Sequence, residues 1–240
     1  MSGPAHVTQA STIPKTGLVI AVDGPSASGK STVSRTLAGH LGLPYINTGL
    51  MYRALAARAL STGADPDDEE RLARLANDLR FELSSGASPV LLIDGSPPGP
   101  ELTSPGVERI VSPVSRHPAV REVMRAAQRR FGAAGAVMEG RDIGSVVFPD
   151  ADVKLFVWAD SVVRVARRRE ERRDDQHEDR DVAEALARRD ALDAETNPLR
   201  PAPGAIRIDT TDMTADDVAD EALRIVERAL GRSLGAAPGA

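Results

Sequence analysis

The sequence predicts an α/β fold in which helices flank a doubly wound, five-stranded parallel sheet. Short apolar runs alternate with amphipathic helical stretches along most of the chain, which is typical of this architecture. The first run, residues 18–22, contains no polar side chain, as expected of a parallel strand that is buried on both faces. Further strands are expected at residues 44–46, 136–138, 153–158 and 206–208. Ligands of such sheets bind beyond the carboxyl ends of the strands, so functional residues are expected there.

Helical periodicity fills the stretches between these strands. Helices are expected at about 30–43 and 50–60, from 107 onward, and at 118–131. A further helix is expected to begin at 161, another to end near 193, and a last one to span 214–230. Residues 63–104 interrupt the alternation with a helix that ends near Leu79 and two short strands, 81–83 and 90–93, and we expect a small α+β insert there. Residues 1–16 and 232–240 are expected to be disordered tails, which leaves one domain at 17–231.

The composition excludes several kinds of site. The chain has 240 residues, of which 41% are hydrophobic, 27% are charged and only 3% are aromatic. Few rings are available to stack on bases, and the net charge of −5 opposes general binding to polyanions, so no nucleic-acid partner is expected. The absence of Cys rules out disulfides and thiolate chemistry. No apolar run approaches the ~20 residues of a membrane span, so we expect a cytoplasmic monomer without a membrane partner.

A glycine-rich loop follows the first strand directly. It consists of Gly24, Pro25, Ser26, Ala27, Ser28, Gly29, Lys30, Ser31 and Thr32, which contain the Walker A pattern between a strand and a helix. Glycines allow backbone N–H groups to surround a phosphate, and the N-terminus of the following helix adds positive potential. Lys30 would reach the β- and γ-phosphates, and the Ser31 hydroxyl would ligate Mg²⁺. The sequence thus predicts a P-loop NTPase fold that binds a nucleoside triphosphate.

The loop alone does not distinguish a switch, a motor and a small-molecule kinase. A GTPase would need an Asn-Lys-x-Asp motif, and the only Lys after the loop is Lys154, in Val-Lys-Leu. Residues 136–139 approximate the apolar strand and acid of a motor ATPase, but they run into Gly140-Arg141-Asp142. Basic residues cluster instead where an acceptor phosphate would lie, which favours a kinase.

At this point the chain resembles the bacterial cytidylate kinases. The loop is followed in order by Asn47-Thr48-Gly49-Leu50-Met51-Tyr52-Arg53, by a central segment at 112–121, by Glu139-Gly140-Arg141-Asp142-Ile143-Gly144, and by Ile208-Asp209-Thr210-Thr211. The resemblance extends from about Gly17 to Leu230. It implies that the γ-phosphoryl group of ATP is transferred, with Mg²⁺, to CMP and dCMP as small-molecule substrates.

The resemblance also implies individual roles. Arg53 and Arg141 would bind the acceptor phosphate, and Ser112, Arg121 and Asp142 would read the cytosine edge. The exocyclic amine needs an acceptor, whereas N3 and O2 need donors. Arg189 and Asp193 would hold the ribose hydroxyls. The implied CMP site comprises Thr48, Arg53, Ser112, Arg121, Arg141, Asp142, Arg189 and Asp193, and the implied catalytic residues are Lys30, Arg141, Arg164 and Arg168.

Each of these residues also has an ordinary structural interpretation when it is taken alone. Arg121 and Arg125 could form one solvated helix face, and Arg141 and Asp142 a local ion pair. Residues 164–181 carry seven Arg and seven acids, which fits a surface helix with ion pairs as well as a mobile lid. The resemblance implies the helical lid, over about 168–183, with Arg164, Arg168 and Arg172 facing the phosphates.

Two positions depart from the family pattern. Asn47 replaces an Asp, which weakens any charge pairing there but can keep a hydrogen bond. Thr196 stands where the family has a second phosphate-binding Arg, and Arg200, after a shortened segment, is the expected substitute. Two other functions stay open: a kinase of another small acceptor such as UMP or a sugar acid, and a nucleotide-binding module with weak turnover.

Overall fold

The computed structural model describes residues 17–86, 89–171, 179–196, 199–231 and 233–234. Five strands form one parallel sheet in the order β2-β5-β1-β6-β7. Their bounds are β1 Val19–Asp23, β2 Tyr45–Asn47, β5 Ala136–Gly140, β6 Val153–Trp158 and β7 Ile206–Asp209. The predicted fold class is confirmed, with β1 at the centre of the sheet.

Eight helices are present among the described residues. They are α1 Lys30–Leu41, α2 Thr48–Ser61, α3 Glu69–Asp78, α4 Pro105–Ser115, α5 Pro118–Gly132, α6 Ser161–Glu171, α7 Asp179–Thr196 and α8 Ala215–Leu230. Sequence reasoning missed a 3-10 turn at Pro100–Thr103 and a π-helical turn at Ile143–Val147. Within the described part of the chain, no helix is long and apolar enough to cross a membrane.

The two faces of β1 pack against different layers, because successive side chains of a strand point to opposite sides. Ile20 and Val22 join one core cluster with side chains of α1 and α8. Val19 and Ala21 join a second cluster with the π-helical turn and with Phe131 of α5. All four β1 side chains are completely buried, which explains the unbroken apolar run in the sequence.

Residues 63–104 carry α3 and a two-stranded antiparallel sheet, β3 Phe81–Leu83 with β4 Leu91–Ile93. Leu72 and Ala76 of α3 and Phe81 of β3 share a core cluster with Met51 and Leu55 of α2. The segment therefore packs on α2, the helix that follows β2.

Candidate active site

The glycine loop between β1 and α1 has a backbone that only small residues allow. Gly24 has φ +149°, and a Cβ there would lie 2.0 Å from the carbonyl oxygen of Val157 in β6. Gly29, with φ +91°, is the N-cap of α1, which begins at Lys30. The Lys30 ammonium donates to the Pro25 carbonyl at 2.5 Å, so the side chain folds back across the loop. A helix N-terminus and an ammonium group thus both lie at the loop, and each favours a bound phosphate.

Glu139, near the end of β5, lies beside the loop. Its Oε1 accepts a hydrogen bond from the Ser31 hydroxyl at 3.1 Å, while its Oε2 is buried without a hydrogen-bond partner. In the sequence, Glu139 ends an incomplete apolar–acid pattern and begins the motif Glu139-Gly140-Arg141-Asp142, but no role was assigned to it. No group of three or more metal-ligating side chains occurs among the described residues. Magnesium commonly takes one or two protein oxygens beside substrate phosphates and water, so Ser31 and the unpartnered Glu139 oxygen fit this ion.

The loop and most of the predicted acceptor residues line one cavity. The predicted residues that line it are Ser26, Ala27, Ser28, Gly29, Lys30, Ser31, Thr32, Thr48, Arg53, Ser112, Arg121, Arg141, Asp142, Arg168 and Asp193. Residues that are up to 167 positions apart in the sequence, from Ser26 to Asp193, thus face a common space. Gly24 and Pro25 do not line it, but their carbonyl groups accept hydrogen bonds from Arg141 and Lys30 respectively.

Asp142 is held by two arginines of α5. Its Oδ2 accepts from Arg121 at 2.7 Å and from Arg125 at 2.9 Å, and its side chain is 8% exposed. The interpretation of Arg121 as part of a solvated helix face is wrong, because Arg121 is buried. Its Nε and that of Arg125 are buried without hydrogen-bond partners. Sequence reasoning gave Arg125 no role, since its spacing from Arg121 fits any exposed helix face.

Arg141 links the loop to α7. Its guanidinium donates to the Gly24 carbonyl at 2.6 Å and forms an ion pair with Asp193 at 2.7 Å. The Ser112 hydroxyl of α4 donates to the same carboxylate at 3.3 Å. A local pair between Arg141 and Asp142 is not what the structure shows, since the two side chains take partners on α7 and α5 respectively.

The arginines of α6 reach the loop from the other side. Arg164 donates to the Ser26 carbonyl at 3.2 Å and pairs with Asp190 of α7 at 2.6 Å. Arg167, which sequence reasoning missed, donates to the hydroxyl and carbonyl of Thr210 at the end of β7. The Thr210 hydroxyl in turn donates to the carbonyl of Ser28 in the loop.

Arg53 and Arg168 meet at a carboxylate that the sequence did not single out. Arg53 of α2 donates to the Leu102 carbonyl at 2.9 Å and to Oε1 of Glu108 at 3.0 Å. Arg168 of α6 contacts the same Glu108 oxygen. No sequence pattern marks Glu108, because it sits in the first turn of α4, where acidic residues are common.

Asp23, the last residue of β1, anchors the segment that carries Arg141 and Asp142. Its two carboxylate oxygens accept from the N–H groups of Ile143 and Gly144, each at 2.8 Å. Burial raises the pKa of Asp23 to about 6, although these two hydrogen bonds act in the opposite direction. A polar residue that closes an apolar strand was the available sequence signal for this anchor.

Asn47, the first departure from the family pattern, is the N-cap of α2. Its side-chain oxygen accepts from the N–H of Leu50 at 3.3 Å, and its amide donates to the Tyr45 hydroxyl at 3.3 Å. A hydrogen-bonding role therefore exists at this position without a charge.

Several predicted residues are not brought to the cavity or cannot be followed there. Arg172 and part of the predicted lid, 172–178, lie outside the described residues, and so do the side chains of Arg189 and Thr196. Arg200 is described, is exposed and does not line the cavity.

The sheet order, the loop and the clustered arginines define a P-loop protein that handles phosphate groups. The Cytidylate kinase family model matches residues 20–228. A cytidylate kinase of Geobacillus kaustophilus is 43% identical over 90% of this chain and all of that protein. One of Rhodococcus opacus is 41% identical over 89% of this chain and 96% of its own. The chain belongs to the cytidylate kinase family, which confirms the resemblance seen in its motifs. A shikimate kinase structure from Acinetobacter baumannii has a TM-score of 0.41 at 18% identity, over 90% of this chain and 95% of its own.

Proposed function

We propose that the protein converts CMP and dCMP to CDP and dCDP by transferring the γ-phosphoryl group of ATP in the presence of Mg²⁺. The observation that carries the proposal is the single cavity in which the phosphate loop faces Ser112, Arg121 and Asp142. Family membership supports the same activity. One chain supplies both the phosphate loop and the proposed acceptor side chains of this cavity, so we propose that a monomer can act alone.

The donor side would bind ATP through the loop backbone and Lys30. Ser31 and Glu139 would hold Mg²⁺, which when bound supplies positive charge to the phosphate oxygens. The ammonium of Lys30, now on the Pro25 carbonyl, would turn to the β- and γ-phosphates. These groups bind the donor and neutralise its charge before any chemistry occurs.

The acceptor side would read cytosine by hydrogen-bond polarity. The carboxylate of Asp142 would accept from the exocyclic amine, while Arg121 and Ser112 would donate to N3 and O2. Arg121 already holds Asp142 at 2.7 Å, which supports a fixed orientation for the carboxylate. Uracil carries an oxygen in place of the amine, so the buried carboxylate would be left facing an acceptor.

The remaining acceptor contacts would involve side chains of which two already form an ion pair with one another. Arg53 and Arg141 would grip the CMP phosphate, and Asp193 and Arg189 the ribose. Arg141 is paired with Asp193 at 2.7 Å, so substrate binding would insert the phosphate beside this pair. The planar guanidinium suits two phosphate oxygens at once.

Transfer would then need positioning and charge rather than a protein nucleophile. An oxygen of the CMP phosphate attacks the γ-phosphorus in line, and the bond from that phosphorus to the ADP oxygen breaks. Arg164 and Arg168 would stabilise the charge on the transferring group. We also propose that residues 63–104 and the lid, 168–183, close over the cavity and exclude water.

Steady-state kinetics with CMP, dCMP, UMP and AMP as acceptors test this proposal. CMP and dCMP are expected to have kcat/KM values at least about 100-fold above those of UMP and AMP. Lys30→Ala is expected to lower kcat by about 1,000-fold, and Lys154→Ala, whose ammonium contacts carbonyls of Pro149 and Pro203, serves as the matched lysine control. Preference for UMP or AMP would indicate a different kinase, and ATP binding without transfer to any acceptor would indicate a binding module.

A further inference from the structure

Glu108 contacts two arginines, Arg53 and Arg168, to which the proposed function assigns different roles. Its Oε1 accepts from Arg53 of α2 at 3.0 Å and also contacts Arg168 of α6. Arg53 is proposed to bind the acceptor phosphate, and Arg168 to stabilise the transferring phosphoryl group. The Glu108 carboxylate of α4 thus links the acceptor side of the cavity to α6, the helix that carries Arg168.

The environment makes this junction electrostatically strong. The side chains of Arg53, Glu108 and Arg168 are only 9%, 15% and 20% exposed. Charges that are partly removed from water interact more strongly than charges on the surface. While its guanidinium is bound to Glu108, Arg168 has its charge compensated locally and is held against α4.

An acceptor phosphate on Arg53 would change this balance. It would bring up to two negative charges to the guanidinium that Glu108 also contacts, and like charges at such distances repel. The phosphate competes with the Glu108 carboxylate for Arg53, repels that carboxylate and also attracts Arg168, so its binding weakens both contacts of Glu108. Arg168 is then released toward the transferring group.

We propose that Glu108 is a positioning residue that couples the lid arginine Arg168 to occupancy of the acceptor site; the proposal rests on the function proposed above. Without an acceptor, Glu108 keeps Arg168 away from the γ-phosphoryl group. This restrains hydrolysis, in which a water oxygen attacks the γ-phosphorus, the bond to the ADP oxygen breaks, and ADP and inorganic phosphate leave. Such coupling is reciprocal, so the lid contact also opposes acceptor binding.

Glu171 provides a matched control on the same arginine. Its carboxylate contacts Nη1 of Arg168 at 3.0 Å, three residues along α6, and its side chain is 56% exposed. It offers the same charge to Arg168 but lies on the same helix, so its contact does not tie the lid arginine to α2 or α4. Loss of this carboxylate releases one partner of Arg168 while the junction at Glu108 remains.

The experiment compares Glu108→Gln and Glu171→Gln with the wild-type protein in two assays: ADP release from ATP and Mg²⁺ without any acceptor, and CDP formation with CMP. We expect Glu108→Gln to raise acceptor-free hydrolysis on the order of tenfold and to lower the KM for CMP, because the competing carboxylate is gone. Glu171→Gln is expected to raise acceptor-free hydrolysis clearly less than Glu108→Gln does, because an exposed ion pair between residues three positions apart contributes little. Equal increases in both variants, or wild-type hydrolysis in Glu108→Gln, would overturn the proposal.

A thermal unfolding curve for each variant shows whether it is folded. If Glu108→Gln does not fold, Glu108→Asp replaces it, since this side chain keeps its charge but is one methylene too short to hold both arginines in place. Acceptor-free hydrolysis about threefold above wild type is then expected, and an unchanged rate in the folded variant overturns the coupling. Absence of CDP formation by the wild-type protein would instead refute the proposed function, so the two failures are distinguishable.

Discussion

The proposed donor and acceptor sides of the cavity are built in different ways. The donor side is a stretch of nine consecutive residues, 24–32, whose backbone conformation and helix N-terminus form the site. The acceptor side consists of side chains from α2, α4, α5, α7 and the end of β5. Among the described side chains there, Arg53, Arg121 and Arg141 contact the carboxylates of Glu108, Asp142 and Asp193 respectively.

This difference determines what each side tolerates. A site made from backbone groups depends on conformations that glycine adopts more easily than any other residue. A site made from paired side chains depends on charge balance, because removing one partner leaves a buried ion uncompensated. Substitutions of loop glycines should therefore damage the donor side most. Substitutions that remove one charge of an ion pair should damage the acceptor side most.

The largest expected effect is that of Gly24→Ala. The new Cβ would lie 2.0 Å from the Val157 carbonyl oxygen. To relieve this overlap, the backbone of the loop or of β6 would have to move. We expect the free energy of unfolding to fall by about 4 kcal/mol, with loss of ATP binding. Denaturant unfolding and a nucleotide-binding titration measure these two effects.

Gly39→Ala is the control for that substitution. Gly39 lies in α1, where a Cβ would meet no atom within 4 Å, so alanine is expected to stabilise the protein by up to about 1 kcal/mol. If Gly24→Ala were as harmless as Gly39→Ala, the donor site would not depend on the backbone conformation of the loop.

Asp23 offers the next largest effect and links the two sides. Its pKa is raised from 3.8 to about 6, so the native state binds this proton more tightly than the unfolded chain does. The contribution of Asp23 to the free energy of unfolding must therefore decrease as pH rises from about 4 to 6, by up to about 3 kcal/mol. Asp209 and Asp217 contribute in the opposite direction, because hydrogen bonds from Thr211 and Thr214 lower the pKa of these two carboxyl groups.

The measurement is the difference in unfolding free energy between the wild-type protein and Asp23→Asn, followed from pH 4 to pH 8. Asparagine does not titrate, so the wild type is expected to lose stability relative to the variant over that interval. A difference that stays constant with pH would mean that Asp23 has no raised pKa.

The same contrast explains what could be predicted from the sequence. The loop is local, so its pattern and the flanking strand and helix predict it completely. The fold class follows in the same way from the alternation of apolar runs. The junction of Arg53, Glu108 and Arg168 depends on how three separate helices pack, and no spacing along the chain encodes that contact.

Arg125 and Asp23 illustrate two further limits. In the sequence, Arg125 looks like part of an ordinary helix face. Its contact with Asp142 arises only because the chain after β5 packs against α5. Asp23 closes an apolar strand, but its partners are N–H groups of a π-helical turn that residue pattern does not predict. The family resemblance grouped distant residues such as Ser112, Asp142 and Asp193, but contacts that no motif marks could not be supplied by sequence reasoning.

On the acceptor side, Asp142→Asn is expected to reduce the ratio of kcat/KM for CMP over UMP by about 100-fold. The amide can donate to the uracil oxygen, whereas the carboxylate can only accept. Steady-state kinetics with both nucleotides give the ratio. Asp193→Asn is the control, because a ribose contact is common to both substrates and its loss should lower both values alike. If Asp142→Asn also lowered both alike, Asp142 would not read the base.

The smallest expected effect concerns Asn47, where the chain departs from the family pattern. Its side chain caps α2 through the Leu50 N–H, and Asp caps a helix as well as Asn does. Asn47→Asp should therefore change the free energy of unfolding by no more than about 0.5 kcal/mol, since the lost donation to the Tyr45 hydroxyl is offset by charge at the helix N-terminus. Asn47→Ala removes the cap and should cost about 1 kcal/mol. Denaturant unfolding of both variants decides the point: equal losses would show that the cap contributes nothing, and a large gain with Asp would show that a missing charge at this position limits the stability of α2.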